Sequence, residues 1–465
     1  MSYSVDDLVA SNMEDYDVIK REAVLSIMIW GPTLALTALF LYLHLMVIAI
    51  GIIVIAGLFH TILRPVFPVF VLVFIIPCEW LFSIIPEITT ASKIIAIIAL
   101  FVSLPKIIQA IFLRWDGVAL WILLFILWMG LGIFFVKYKL ASFVIFQSML
   151  LKWVGLPLLI VVNIRSEPAL KGLLIVFVLG CLVSSAYLFK TGRFEEVEHT
   201  QQRSEIKSVW GDSSQIKATE DINIVGRYLA VGFIISIYFL LAFGGIFTKA
   251  AFLIATIIFA ACILLLKGRA VYLALPIALL TGTIFTGGTK LIKKIMTISF
   301  VLLFGGLVLF IMIKLGILGI IVEERFQSIF EEGTRAGQRY YLWSAHWAAF
   351  LQSGGFGRGI GMMVYDSPVS KMAHNNLLSI AAELGIVGLV SFLAMHVNIF
   401  SRLRKIDVFL PKLLGMMILV FIFTAAMTES DYTQKYYPLC LTLCWLIAKE
   451  FGDKNNYQLT DVCEI

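Results

Sequence analysis

Runs of about 17–25 apolar residues recur along almost the whole chain, divided by short polar turns, and each is long enough to cross the ~30 Å hydrocarbon core of a bilayer as an α-helix. No water inside lipid can satisfy backbone N–H and C=O groups, so each run must pair its own groups, and the chain can fold only as a bundle of membrane helices. The short alternating segments of a β-barrel are missing. The 465 residues are 60% hydrophobic and 14% charged, far from the balance of a soluble domain.

Candidate spans are 24–43, 45–61, 65–85, 91–105, 117–136, 141–163, 170–189, 227–245, 248–266, 270–287, 295–320, 376–400, 408–428 and 434–449. The expected fold is an all-α polytopic bundle of about 12–14 transmembrane helices. It forms one membrane domain, 23–450, between polar tails at 1–22 and 451–465. The first tail lacks the basic start of a signal peptide, so the first span is expected to be retained. Lys and Arg concentrate in short loops on the side of the two termini, among them Lys290, Lys293, Lys294, Arg402, Arg404 and Lys405. This bias makes that side cytoplasmic and the long loops 190–227 and 321–375 external.

The net charge of +6 is spread over loop ends, where it suits membrane lipids and calls for no nucleic acid. Of the six cysteines, 78, 181, 262, 440 and 444 fall in spans and 463 in the tail. No C-x-x-C pair exists to suggest a metal site or a disulfide framework.

The second long loop holds a polar island, residues 333–376, rich in Trp, Tyr and Phe and carrying Arg335, Arg339, Arg358, Lys371 and His374. From Thr334, a favourable N-cap, Arg335, Arg339, Trp343 and Trp347 recur every four residues, with His346 and Phe350 on nearly the same face. This spacing predicts an amphipathic interfacial helix. GGFGRGIG at 354–361 follows as a turn through which backbone can approach another element closely. Ser367-Pro368 reads as a second helix start, and His374 then stands at the mouth of the next span.

Arg269, in the turn between spans 248–266 and 270–287, falls on the island's side by parity. As a lone residue it could equally snorkel to the interface. Together with Arg335, Arg339 and His374 it makes an external cationic mouth suited to phosphate, whose oxygens match guanidinium forks. His374 could serve as general base or as donor to a developing charge, and an interfacial role would explain it equally well. Glu383, about 13 Å deeper by helix rise, reads as a buried, paired carboxylate. Glu79 and Lys152 lie inside spans and read best as a structural ion pair. The D-x-D at Asp15–Asp17 and the out-of-register GTIFTGGTK at 282–290 carry no weight.

R-x(3)-L at Arg269–Leu273, RFQS at 325–328, GQRYYLW at 337–343, GRGIG at 357–361 and AHNNLLSIAAELGIVGL at 373–389 together resemble the O-antigen ligase and polymerase superfamily. Asn223, before the span at 227, resembles that family's Asn at this place. The resemblance implies a lipid-donor, GT-C-like glycosyltransferase fold with a ligase-type core at 227–400. It also implies transfer of a glycan from undecaprenyl diphosphate to lipid A–core or another saccharide at the periplasmic face of the bacterial inner membrane. The implied catalytic residues are His374, Arg269 and Arg339, with Arg335, Arg325, Arg358, Asn375 and Trp343 as substrate-binding residues. The reaction is expected to invert the anomeric centre and to need neither metal nor cofactor. A polymerase of the same superfamily and a transporter of small anions or lipids are the alternative expectations.

Overall fold

The computed structural model describes residues 33, 66–78, 86–113, 116–191, 222–266, 269–286, 333–367 and 371–452, with backbone alone at some helix ends. The chain divides into two compact units, 1–68 and 69–465, and the site lies in the second. The described residues form helices joined by turns and loops, without a strand. In order they form α1 (Phe67–Ile75), α2 (Pro86–Leu113), α3 (Gly117–Gly132), α4 (Lys139–Leu150), α5 (Leu156–Asn163), α6 (Glu167–Thr191), α7 (Ile222–Ala242) and α8 (Ile246–Leu265). The second half contributes α9 (Arg269–Phe285), α10 (Gly333–Gln352), the short α11 (Met362–Tyr365), α12 (Asn376–Arg404), α13 (Phe409–Ala425) and α14 (Tyr436–Gly452).

Among the described residues, six helices are long and apolar enough to cross a membrane: Gly117–Phe135, Lys139–Asn163, Glu167–Thr191, Ile224–Ala242, Ile246–Leu265 and Asn376–Arg404. Shorter apolar helices at Phe67–Cys78, Ile95–Gln109, Ala270–Phe285 and Phe409–Ala425 coincide with further expected spans. The chain is therefore a multi-pass membrane protein. The expected spans 45–61 and 295–320, span 24–43 apart from residue 33, the tail 1–22, the tail 451–465 beyond residue 452, Glu79, Arg325 and most of the loop 190–227 lie outside the described residues.

Two spans depart from the continuous helices that their hydropathy suggests. The first, 139–163, contains a π-helical turn at Leu151–Gly155. Lys152 Nζ and Trp153 Nε1 there donate to the carbonyls of Thr433 (2.5 Å) and Tyr432 (2.8 Å). Such a wide turn re-aims side chains without ending the helix. The Trp153 ring joins Phe125, Phe392 and Tyr437 at centroid separations of 5.2, 6.3 and 6.0 Å, tying α3, α12 and α14 together.

The second departure is α12, which breaks at Gly385 (φ 64°, ψ −160°). A break inside a membrane span frees backbone groups that lipid cannot satisfy. Here the glycine loop after α10 satisfies them. Arg358 N donates to Ala382 O (2.9 Å), Gly359 N to Glu383 O (2.7 Å), and Ile386 N to Gly355 O (2.8 Å). Trp128 Nε1 of α3 takes the carbonyl of Leu384 at 2.6 Å. The approach is close enough that a Cβ on Gly357 would sit 2.5 Å from both Glu383 O and Gly385 N. The run at 354–361 is thus a turn that allows close backbone approach, as its composition suggests, and the element it approaches is the broken helix. Trp128→Phe removes the donor to Leu384 and should cost about 1 kcal/mol. Thermal unfolding in detergent should show it as a small drop in Tm.

Candidate active site

The site begins with α10. It starts at Gly333, one residue before the cap expected at Thr334. Arg339, Trp343 and Trp347 line an exposed face, whereas Leu342, His346 and Ala349 are buried. His346 therefore belongs to the packed face, not to the face of the tryptophans. Its Nδ1 lies 2.8 Å from Leu342 O, its own preceding turn. Burial lowers its pKa; the Leu342 hydrogen bond opposes this, and the charge of His374 adds to the lowering. His346 thus stays neutral at physiological pH.

Trp343 links this helix to the catalytic candidate. Its Nε1 donates to Ala373 O at 2.9 Å, which fixes the residue before His374. Residues 371–375 are not helical, and α12 starts at Asn376 with Asn375 as its cap, accepting from Leu378 N at 3.1 Å. The helix start expected at Ser367-Pro368 falls at the edge of the described residues.

His374 has φ 52°, a left-handed conformation that a side chain occupies only when its surroundings hold it there. What holds it is a second turn, between α13 and α14. Asn376 N donates to Ala426 O (2.8 Å), Asn375 Nδ2 to Met427 O (3.2 Å), and Tyr432 N to Asn376 Oδ1 (3.1 Å). The Ser379 and Ser430 hydroxyls meet at 2.8 Å. Within this lacing, His374 Nδ1 lies 2.6 Å from Glu429 Oε2. A carboxylate there accepts the Nδ1 proton and selects the tautomer whose Nε2 carries a lone pair.

The electrostatics reinforce the pair. Burial alone would raise the Glu429 pKa, but the hydrogen bond and charge of His374, with the charges of Arg227 and Arg339, hold it below the ordinary value. Arg339 is thereby placed within electrostatic reach of the His374–Glu429 pair. Arg227, in the first turns of α7, is 1% exposed and forms an ion pair with Asp431. Glu383 is buried as its position implies, and accepts from the Tyr432 hydroxyl at 2.6 Å.

The other sequence candidates distribute as follows. Arg358 sits at the α12 break, with Nη2 donating to Gln352 Oε1 at 2.6 Å. Its backbone bond to Ala382 places it about 9 Å along the helix from the end that holds His374. Asn375 caps α12 and ties it to Met427. For Arg269 and Arg335 the backbone alone is described, at the starts of α9 and α10. The start of α9 packs against Gly226, the residue before Arg227, where a Cβ would stand 3.5 Å from Val271 Cγ2. Glu429, Arg227 and Asp431 were not among the sequence candidates. A signal for the acids existed: Glu429 and Asp431 occupy the short turn 429–433, which parity puts on the island's side.

Residues 254–393 match a family model described as O-antigen ligase, a stretch that includes Arg269, Arg339, His374 and the glycine loop. No curated protein matches the chain.

Proposed function

We propose, from the match of residues 254–393 to the O-antigen ligase family model, that the chain moves a glycan from undecaprenyl diphosphate to lipid A–core or another saccharide acceptor. The reaction takes place at the periplasmic face of the inner membrane. The observation that carries this reading is the His374–Glu429 pair, 2.6 Å apart and within reach of the Arg339 charge. A histidine oriented by a carboxylate is the arrangement that general-base chemistry on a hydroxyl requires. A cation beside it suits a departing diphosphate.

In the proposed reaction, the acceptor oxygen attacks the anomeric carbon while its proton passes to Nε2 of His374. The bond from that carbon to the diphosphate oxygen breaks, and the electron pair leaves with the lipid diphosphate. Attack opposite the leaving group inverts the anomeric configuration. Glu429 stabilises the imidazolium that forms. Arg339 and Arg269 take the diphosphate charge in place of a metal. Arg335, Arg325, Trp343, Asn375 and Arg358 are the substrate-binding residues of this proposal.

The test is a mass-spectrometric profile of undecaprenyl-linked glycans in cells lacking the protein, with and without the His374→Ala form. Long glycans accumulating on the carrier identify a ligase, and single repeat units a polymerase. An unchanged profile removes both readings and favours transport. Arg339→Lys keeps the charge but loses the fork, and should reduce transfer at least about tenfold. Wild-type transfer by this variant would take Arg339 out of diphosphate recognition.

A further inference from the structure

The ion pair between Arg227 and Asp431 is an expensive feature. Both side chains are almost wholly buried, 1% and 3% exposed. Arg227 Nε and Nη2 and Asp431 Oδ2 have no hydrogen-bond partner among the described residues. Burying two charges costs several kcal/mol per ion, and a pair with unmet hydrogen-bonding capacity recovers that cost poorly. Apolar residues of similar size would often serve stability as well. The position of the pair suggests why charge is kept there. Asp431 lies two residues after Glu429 in the same turn, and Arg227 is anchored in a different element, α7.

We propose that Arg227 is a positioning residue: by holding Asp431 it fixes the 429–433 turn in the register that brings Glu429 onto His374. The proposal rests on the transfer reaction described above. The turn is otherwise held by hydrogen bonds: Ser430 to Ser379, Tyr432 N to Asn376, the Tyr432 hydroxyl to Glu383, and the Tyr432 and Thr433 carbonyls to Trp153 and Lys152. The Lys152 bond enters through a carbonyl, whereas Arg227 grips a side chain of the turn, that of Asp431. It also acts on the pair directly, since its charge reaches Glu429.

A pair that exists only for folding and one that positions Glu429 differ in the pH profile. The ionisable groups facing the His374–Glu429 pair are Arg339 and His346 from α10, Arg227 from α7 and Asp431 from the turn itself. Glu383 of α12 and Lys152 approach the same turn through Tyr432 and Thr433, and Lys435 follows it. All of these except Arg227 and Asp431 stay unchanged in the variants below. Removing a nearby positive charge makes the pair bind protons more readily, and removing a negative charge does the reverse.

The experiment measures transfer from a polyprenyl-diphosphate-linked glycan in proteoliposomes against pH, for wild type, Arg227→Gln and Asp431→Asn. Arg227→Gln should shift the acid limb upward by about half to one pH unit, and Asp431→Asn should shift it downward by a comparable amount. Equal losses at every pH in both variants, with the limb unmoved, would mean a purely structural pair and overturn the proposal. Should Arg227→Gln fail to reach the membrane, Asp431→Asn and the double amide variant decide. The first must lower the limb; the second, which restores the net charge but not the grip on the turn, must return the limb to near the wild-type position while transfer stays reduced. An unmoved limb in Asp431→Asn overturns the inference. A wild-type protein that transfers nothing instead refutes the reaction itself.

Discussion

Glu429→Gln should leave the protein folded in the membrane while lowering transfer by about 10²–10⁴-fold. The substitution keeps the volume and a hydrogen-bonding partner for His374 Nδ1, 2.6 Å away. An amide, however, can present its NH₂ to the ring and select the opposite tautomer, with the proton on Nε2, where a base needs a lone pair. It also withdraws the negative charge that would stabilise the imidazolium. His374→Ala should lose at least as much, and the double variant little more than the worse single one, because residues acting as a unit are not additive. Full additivity in single-turnover assays would show that the two act separately. The pair should also leave a mark on stability. The folded-state pKa of Glu429 is depressed, so its contribution is present above the ordinary carboxylate value and is lost as pH falls through the lowered one. Glu429→Gln should flatten that part of the unfolding-versus-pH curve.

Gly385→Ala should be the most damaging of the small substitutions in the described structure. At φ 64° and ψ −160° the residue occupies a region open essentially to glycine alone. A Cβ there would collide with Gly355 O and with the Phe356 carbonyl. Neither is the tip of a flexible side chain that could swing aside. The glycine loop would have to withdraw, leaving the carbonyls of Ala382 and Glu383 and the amide of Ile386 without partners at membrane depth. The expected cost is at least about 4 kcal/mol, from conformational strain and unsatisfied backbone together. Detergent extracts of a fluorescent fusion should show the monodisperse peak lost on size exclusion. Gly357→Ala, at φ 86° and equally close to α12, should behave the same way. Gly244→Ala, with nothing within 4 Å of its would-be Cβ, should be silent. A stable Gly385→Ala protein would mean that α12 can run through the break.

The two predictions concern features that were unequally visible beforehand. The spans were legible because each membrane helix is a local solution: a run of apolar residues satisfies its own backbone, and its length needs no knowledge of its neighbours. The amphipathic α10 followed from its four-residue repeat, and His374 and Arg339 from their concentration in one polar island. Three things misled or escaped that reading. Hydropathy ran smoothly through Gly385, so α12 looked continuous; the break is paid for by a loop about 30 residues earlier in the chain. His346 looked like part of the tryptophan face, because a four-residue repeat drifts around the helix and its angle alone does not say which neighbour packs there. Lys152 looked like a partner for Glu79, which lies outside the described residues; in the structure its ammonium reaches the Thr433 carbonyl.

By itself, then, the sequence determined the class of fold, a likeness to the O-antigen ligase family over residues 254–393, and the polar island that carries Arg339 and His374, because these follow from local composition and spacing. Tertiary structure alone decided that Glu429 orients His374 and that Arg227 meets Asp431, contacts that span 55 and 204 residues of chain. It also decided that a run of glycines mends a broken membrane helix. The physical reason is shared: each of these is a polar group forced by burial to find a partner, and the partner is whichever group the packing of distant helices brings within about 3 Å.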